Sequence, residues 1–307
     1  MFANIFPALP DECLRGYAFR LFSLNKRPLQ TTANLLPGLA TLTGIKIHKL
    51  IHLHCHVSYR RFVSDRYALQ TISSHENLAH HCVTSASIPS AHAYYCSACI
   101  EDDIKNHGIS YWRRKHHLPG VSHCAKHKIP LIMTNRKSMT SCYPQNATSL
   151  KLAISNEERY DYFSCPAIFR FASLSVAALH TQITFQPALM ALLLARRFEE
   201  LHPNTRRRFS ELAHKSFPKS WLIRHFPGLF IPGSVVTERV SSLGRENPST
   251  RHYLLALSLL WDDHRAALNA CWFEHFGEDR ARGLKYPYRS QQRILSTASQ
   301  IPYMAST

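Results

Sequence analysis

The sequence predicts a mainly α fold in three parts: a helical N-terminal lobe with a helix-turn-helix pattern, a central zinc-finger or ribbon module, and a helical C-terminal lobe. Three observations predict it. Apolar residues recur at helical spacing in both outer parts. A small residue and a glycine, Ala40 and Gly44, stand four apart inside one of those apolar patterns. Between the lobes, two Cys/His pairs carry the spacing of a structural metal site. We place the parts at residues 1–80, 81–140 and 141–307 of the 307-residue chain.

The central pairs are Cys96-Ser97-Ala98-Cys99 and Cys124-Ala125-Lys126-His127, separated by 24 residues. Two intervening residues let the chain fold back so that both donors of a pair reach one ion at about 2.0–2.3 Å. Three thiolates and one imidazole complete a tetrahedral shell with no open position. The spacing therefore predicts one structural Zn2+, held by Cys96, Cys99, Cys124 and His127. His107, His116, His117 and His123 lie close enough in sequence to compete for the fourth place; His127 is preferred because its spacing from Cys124 mirrors the first pair. Apolar residues of the segment 111–121, and of 129–132 beyond the second pair, would shield the thiolates.

In the N-terminal lobe, residues 11–24 predict a helix capped by Asp11, with Leu14, Tyr17, Ala18, Leu21 and Phe22 on one face. The stretch 39–53 matches a helix-turn-helix. Ala40 permits close helix approach, Gly44 accepts the positive φ of the turn, and Leu39, Ile45, Leu50 and Leu53 would face inward. In that register Lys46, His48 and His52 point outward from the second helix. The polar residues 84–90 predict a loop leading into the zinc module, and 134–156 a boundary behind it.

In the C-terminal lobe, helices are predicted over 167–181, 187–202 and 250–276, with 226–249 rich in loops and 283–307 a basic tail. Arg206, Arg207 and Arg208 open a basic stretch that continues through Lys215, Lys219 and Arg224, interleaved with Phe217, Trp221 and Phe226. Cations threaded with aromatics suit a surface that tracks a nucleic-acid backbone. They equally suit a solvated face over an aromatic core, and the sequence leaves both readings open.

Charge indicates the class of partner. Lys and Arg number 37 against 20 acids, a net +17 before any of the 20 histidines protonates. Such a chain attracts polyanions: DNA, RNA or a ribonucleoprotein. At 45% hydrophobic residues it can bury substantial cores, yet no apolar run reaches the length of a membrane span. No secretory signal is evident, and nine cysteines with a zinc spacing suit a reducing cytoplasm. Phosphate loops of the GxxxxGK type and the spaced carboxylates of a two-metal nuclease are both missing, so no enzyme is expected. The adjacent acids Asp102-Asp103 and Asp262-Asp263 would point to different faces of their helices.

Several of these motifs together resemble a known family. They are the opening 7–17 (Pro7-Ala8-Leu9-Pro10-Asp11-Glu12-Cys13-Leu14-Arg15-Gly16-Tyr17), Tyr95 before the first pair, Tyr111-Trp112, Leu118-Pro119, and Cys124 through Leu131. This set resembles the zinc-finger core of the TniQ/TnsD family, target-selection proteins of multi-component DNA transposons. The family usually has Ser at the position of Cys13. The resemblance implies a non-catalytic adaptor in a bacterial cytoplasm, associated with DNA. It implies a homodimer that docks on a CRISPR Cascade ribonucleoprotein, with its crRNA and effector subunits, and recruits an AAA+ transposition regulator to target DNA. Direct readers of an attachment site tend to be longer, so the RNA-guided mode is expected here. The alternatives are direct TnsD-like DNA reading and a stand-alone zinc-containing transcription factor. Lys46, His48, His52, Arg206, Arg207, Arg208, Lys215 and Lys219 are the candidate contacts to nucleic acid or effector.

Overall fold

The computed structural model describes residues 5–27, 35–64, 92–149, 156–181, 183–203, 209–230 and 249–277. Among these, twelve α-helices surround one small sheet. The predicted loop at 84–90, the tail at 283–307 and most of 226–249 lie outside the described residues.

Helix α1 is Leu14–Leu24, and its buried face is the predicted one. Its cap differs. Cys13 occupies the N-cap, where its Sγ accepts from the Gly16 amide at 3.3 Å. Asp11 stands two residues earlier at φ 60° and serves a different purpose, described below. A thiol in place of the Ser hydroxyl is a weak but sufficient acceptor.

Helices α2 (Leu35–Thr43) and α3 (Ile47–His54) flank Gly44 at φ 66°, the left-handed turn the pattern predicts. Leu39 and Leu50 are buried between them. Leu53 is not: it is 45% exposed, and Ile51 is buried in its place. The inward face of α3 is thus set by Leu50, Ile51 and His54, rotated from the register in which Leu53 faces in.

Short helix α4 (Val57–Arg60) crosses to the other lobe. Thr250 Oγ1 donates to the Arg60 carbonyl at 3.2 Å, and Phe62 meets Phe185 edge-on at 5.0 Å. The central module holds strand β1 (His92–Tyr95), helix α5 (Ser97–His107), a 3-10 turn at Arg114–His117 and strand β2 (Ile132–Asn135). The strands pair antiparallel with His92 opposite Asn135 and Tyr95 opposite Ile132.

The C-terminal lobe comprises α6 (Asn156–Ser164), α7 (Pro166–His180), α8 (Pro187–Leu201), α9 (Phe209–Ser216), α10 (Lys219–His225), α11 (Thr250–Leu260) and α12 (His264–Phe276). Helices α7 and α11 are the most buried and pack on one another. The single helix expected over 250–276 is two: the chain is extended at Trp261, and Asp263 caps α12 by accepting from the Ala266 amide at 3.1 Å. One apolar cluster runs from Tyr59 and Phe62 through Cys96, Cys99, Leu118 and Cys124 into α7, α11 and α12. No helix among the described residues is long and apolar enough to cross a membrane.

Candidate metal centre

The first cysteine pair is placed by a strand-to-helix junction. Cys96 follows β1 as the N-cap of α5, and Cys99 lies in its first turn, so both thiols project from one helix end. The second pair is placed by a tight turn. The Lys128 amide donates to the Cys124 carbonyl at 2.8 Å, the Cys124 amide donates to the Ile129 carbonyl at 2.9 Å, and Lys128 takes φ 56° to close the loop. A bridge between His123 and Pro130 seals its base.

The four donors converge. His127 Nδ1 lies 3.4 Å from Cys96 Sγ, 3.4 Å from Cys99 Sγ and 3.7 Å from Cys124 Sγ. Cys99 and Cys124 sulfurs are 3.7 Å apart, and all four donor atoms fall within 4.8 Å of one another. Tetrahedral bonds of about 2.3 Å to sulfur and 2.0–2.1 Å to nitrogen put neighbouring donors roughly 3.5–3.8 Å apart. Four of the six edges are 3.4–3.7 Å and the other two are within 4.8 Å, so this donor set fits one metal ion. Its chemistry agrees: the Cys124 sulfur pushes the Cys96 and Cys99 thiols above the ordinary thiol range, and three ionised sulfurs at this spacing call for a cation between them. All three cysteines are buried.

The competing histidines are placed elsewhere. His116 Nε2 lies 3.7 Å from the Cys99 sulfur and also interacts with that of Cys124, yet it falls outside the four-donor set. His117 Nδ1 accepts from the Tyr94 amide at 3.2 Å. His123 is wedged between Phe163 and Phe169, and burial holds its pKa at about 4. His107 packs against Tyr111.

The module is bound to the N-terminal lobe by a polar staple. Arg114, buried, donates from Nη1 to the carbonyls of His52 and Cys55 at 2.7 and 2.8 Å and from Nε to Asp11 at 3.1 Å. Its backbone amide donates to the Asp11 carbonyl at 2.8 Å, and its carbonyl accepts from His56 Nε2 at 2.9 Å. Burial works to raise the Asp11 pKa, but the Arg114 guanidinium, aided by His180 and Lys115, holds the carboxyl well below the usual range. One position on, Glu12 is buried against Arg20 in a two-pronged pair at 2.9 and 2.8 Å, and His54 Nδ1 donates to the Glu12 carbonyl at 2.8 Å. The Cys13 amide donates to the Trp112 carbonyl at 2.7 Å. The opening motif and the Tyr111-Trp112 segment, remote in sequence, therefore lie against each other.

The candidate contact residues divide. Lys46 and His48 are exposed at and beside the start of α3. His52 is half-buried, with Nδ1 bonded to Ser58 Oγ at 2.9 Å, so it does not stand out beside them. Lys215, Lys219 and Arg224 are exposed on α9 and α10, while Phe217, Trp221 and Phe226 are buried in the main core. In that stretch the aromatics belong to the core, and the cations beside them are exposed. Arg206, Arg207 and Arg208 lie outside the described residues.

Sequence reasoning missed Arg114, Glu12 and the two acids of α5. Asp102 and Asp103 do point to different faces, and both are used: Asp103 pairs with Arg113, Asp102 with Lys126 and His127. The available signal was Asp102 three residues after Cys99, one helical turn along the ligand-bearing face.

Among curated proteins, none matches the chain. A protein-family model described as TniQ matches residues 5–131, a span that begins before the opening motif and closes just beyond His127. It takes in both donor pairs and both ends of the Asp11–Arg114 staple. The chain carries a TniQ family domain over residues 5–131, which points to target selection in DNA transposition.

Proposed function

We propose that the chain is a non-catalytic adaptor that selects the target site for transposition by docking on an RNA-guided CRISPR Cascade complex. In this reading it recruits an AAA+ regulator, and through it the transposase, and works as a homodimer. The observation that carries the adaptor role is the TniQ domain over 5–131 with a four-donor centre inside it. The ion is Zn2+ in a structural role: a closed set of three cysteines and one histidine suits zinc and leaves no position for water or substrate. The parts 1–80, 81–140 and 141–307 then serve as partner-facing, metal-holding and scaffold regions.

What supports docking on a ribonucleoprotein is the outward face of α3. Lys46, His48 and Lys49 are exposed there with Leu53, an apolar side chain that suits a protein contact. Lys215 and Lys219 add a second cationic face. Direct DNA reading is the second interpretation, favoured by the helix-turn-helix geometry of α2, Gly44 and α3.

The test pairs two measurements on purified protein. Pull-down should capture crRNA-effector subunits, and Lys46→Glu with His48→Glu should reduce that capture several-fold with the fold unchanged. Footprinting on candidate attachment DNA should show weak, sequence-blind protection that fades steeply with salt. A sharp footprint by the protein alone, with no effector captured, replaces the first reading with the second.

A further inference from the structure

His127 presents one ring nitrogen to the thiol cluster, and the other is also engaged. Its Nδ1 faces the three sulfurs at 3.4–3.7 Å, while its Nε2 lies 3.1 Å from Asp102 Oδ2. Asp102 belongs to α5, the helix whose first turn carries Cys99, so the same rigid element holds a ligand and the partner of another ligand. The same Oδ2 is also held by the ammonium of Lys126, one residue before His127. The resulting chain of contacts is Lys126, Asp102, His127, sulfur cluster. It runs from an exposed surface, where the Lys126 side chain is 55% exposed, to buried donors.

We propose that Asp102 is a positioning residue for the metal centre, fixing His127 in the tautomer that turns a bare Nδ1 toward the ion. This rests on the reading of Cys96, Cys99, Cys124 and His127 as a metal site. The physical reason is straightforward. A neutral imidazole carries one N–H, and only its unprotonated nitrogen can ligate. A carboxylate accepting from Nε2–H places the proton on that nitrogen, orients the ring and raises the basicity of Nδ1. Without it, the ring can rotate or present the protonated nitrogen, and the fourth ligand is lost part of the time. Asp102 lies outside the four-donor set, and the spacing that identifies the ligands does not identify it.

The test uses the full chain and zinc affinity measured by competition with a chromophoric chelator. Asp102→Ala should weaken Zn2+ binding by about 10–100-fold. Asp102→Asn, whose amide oxygen still accepts from Nε2–H, should recover most of that loss. Co2+ substitution supplies a readout that a merely structural helix role leaves unmoved. The ligand-field bands of a tetrahedron of three sulfurs and one nitrogen should shift or weaken in Asp102→Ala and return in Asp102→Asn. Lys126→Met removes the surface ion pair alone and should change affinity far less than Asp102→Ala. The proposal is overturned if Asp102→Ala binds zinc as tightly as wild type with unchanged Co2+ bands. It is overturned equally if Lys126→Met and Asp102→Ala lose the same amount, which assigns the effect to the ion pair. A wild-type chain that binds no metal overturns the metal reading and this proposal with it.

Discussion

The central module and the C-terminal lobe share one apolar cluster but are ordered by different physics. In the lobe, α7 and α8 are fifteen residues each, and α7 alone buries nine side chains. Order there is spread over many contacts of small individual worth. The module has two four-residue strands, one eleven-residue helix and several 3-10 turns, so regular backbone bonding accounts for little of its shape. Its geometry depends on four donors and on one arginine, Arg114, with five polar contacts to the N-terminal lobe. Distributed order should degrade in proportion to what is removed. Concentrated order should fail at single residues.

The largest expected effect tests that contrast directly. Cys124→Ser should abolish metal binding and disorder the module, because the ion's binding energy is also folding energy, on the order of 10 kcal/mol for structural zinc sites. Leu254→Ala, at the fully buried heart of α11, should cost about 2–5 kcal/mol and lower the melting temperature while metal content stays near one equivalent. Metal analysis with limited proteolysis of residues 92–149 separates the two. Equal loss of metal, or equal proteolysis, in both variants would dissolve the distinction.

Next in size is the staple. Arg114→Met leaves the Asp11 carboxylate buried without its cation and strips two backbone carbonyls of their donor. Removing one partner of a buried pair costs about 3–5 kcal/mol. Asp11→Asn combined with Arg114→Met should recover part of that loss, because no charge is then stranded. A double-mutant cycle by denaturant unfolding measures the coupling, and additive losses would show that Asp11 and Arg114 act independently.

The contrast also explains what was legible in the sequence. The donors were readable because metal geometry imposes a short, fixed spacing on Cys96, Cys99, Cys124 and His127. Helices α1, α7 and α8 were readable because burial of one face imposes the helical period. The Asp11–Arg114 staple was not, since its partners lie 103 positions apart and no periodicity links them. The break between α11 and α12 was missed because apolar residues continue across it, and only the Asp263 cap marks it. The register error in α3 follows from taking Leu53 as inward where Ile51 and His54 fill that face. Phe217, Trp221 and Phe226 needed the structure, since an aromatic among cations reads the same whether it faces solvent or core.

The smallest expected effect lies where the two kinds of order meet. His54 and His56 are buried at the junction of α3, α4 and the module, and burial lowers both pKa values from 6.5 to about 4. Each ring bonds a backbone carbonyl, of Glu12 and of Arg114. The folded state therefore keeps both neutral where the unfolded chain takes up protons, so stability should fall as pH drops from 6.5 toward 4. The loss is about 2 kcal/mol per histidine by pH 5. Asp11 has the same sign but a lower window: its depressed pKa contributes stability above 3.8 that is lost only as pH falls below that value, so it plays no part in the decline between 6.5 and 5. Metal ligands also take up protons as pH falls, so wild type must be compared with His54→Gln and His56→Gln at each pH. Both variants should be less stable than wild type at pH 7 and show a shallower decline to pH 5 in urea midpoints. If all three lines run parallel, these histidines do not carry the pH dependence, and the decline belongs to the metal centre or to the other buried histidines held at about 4, His123, His225 and His252.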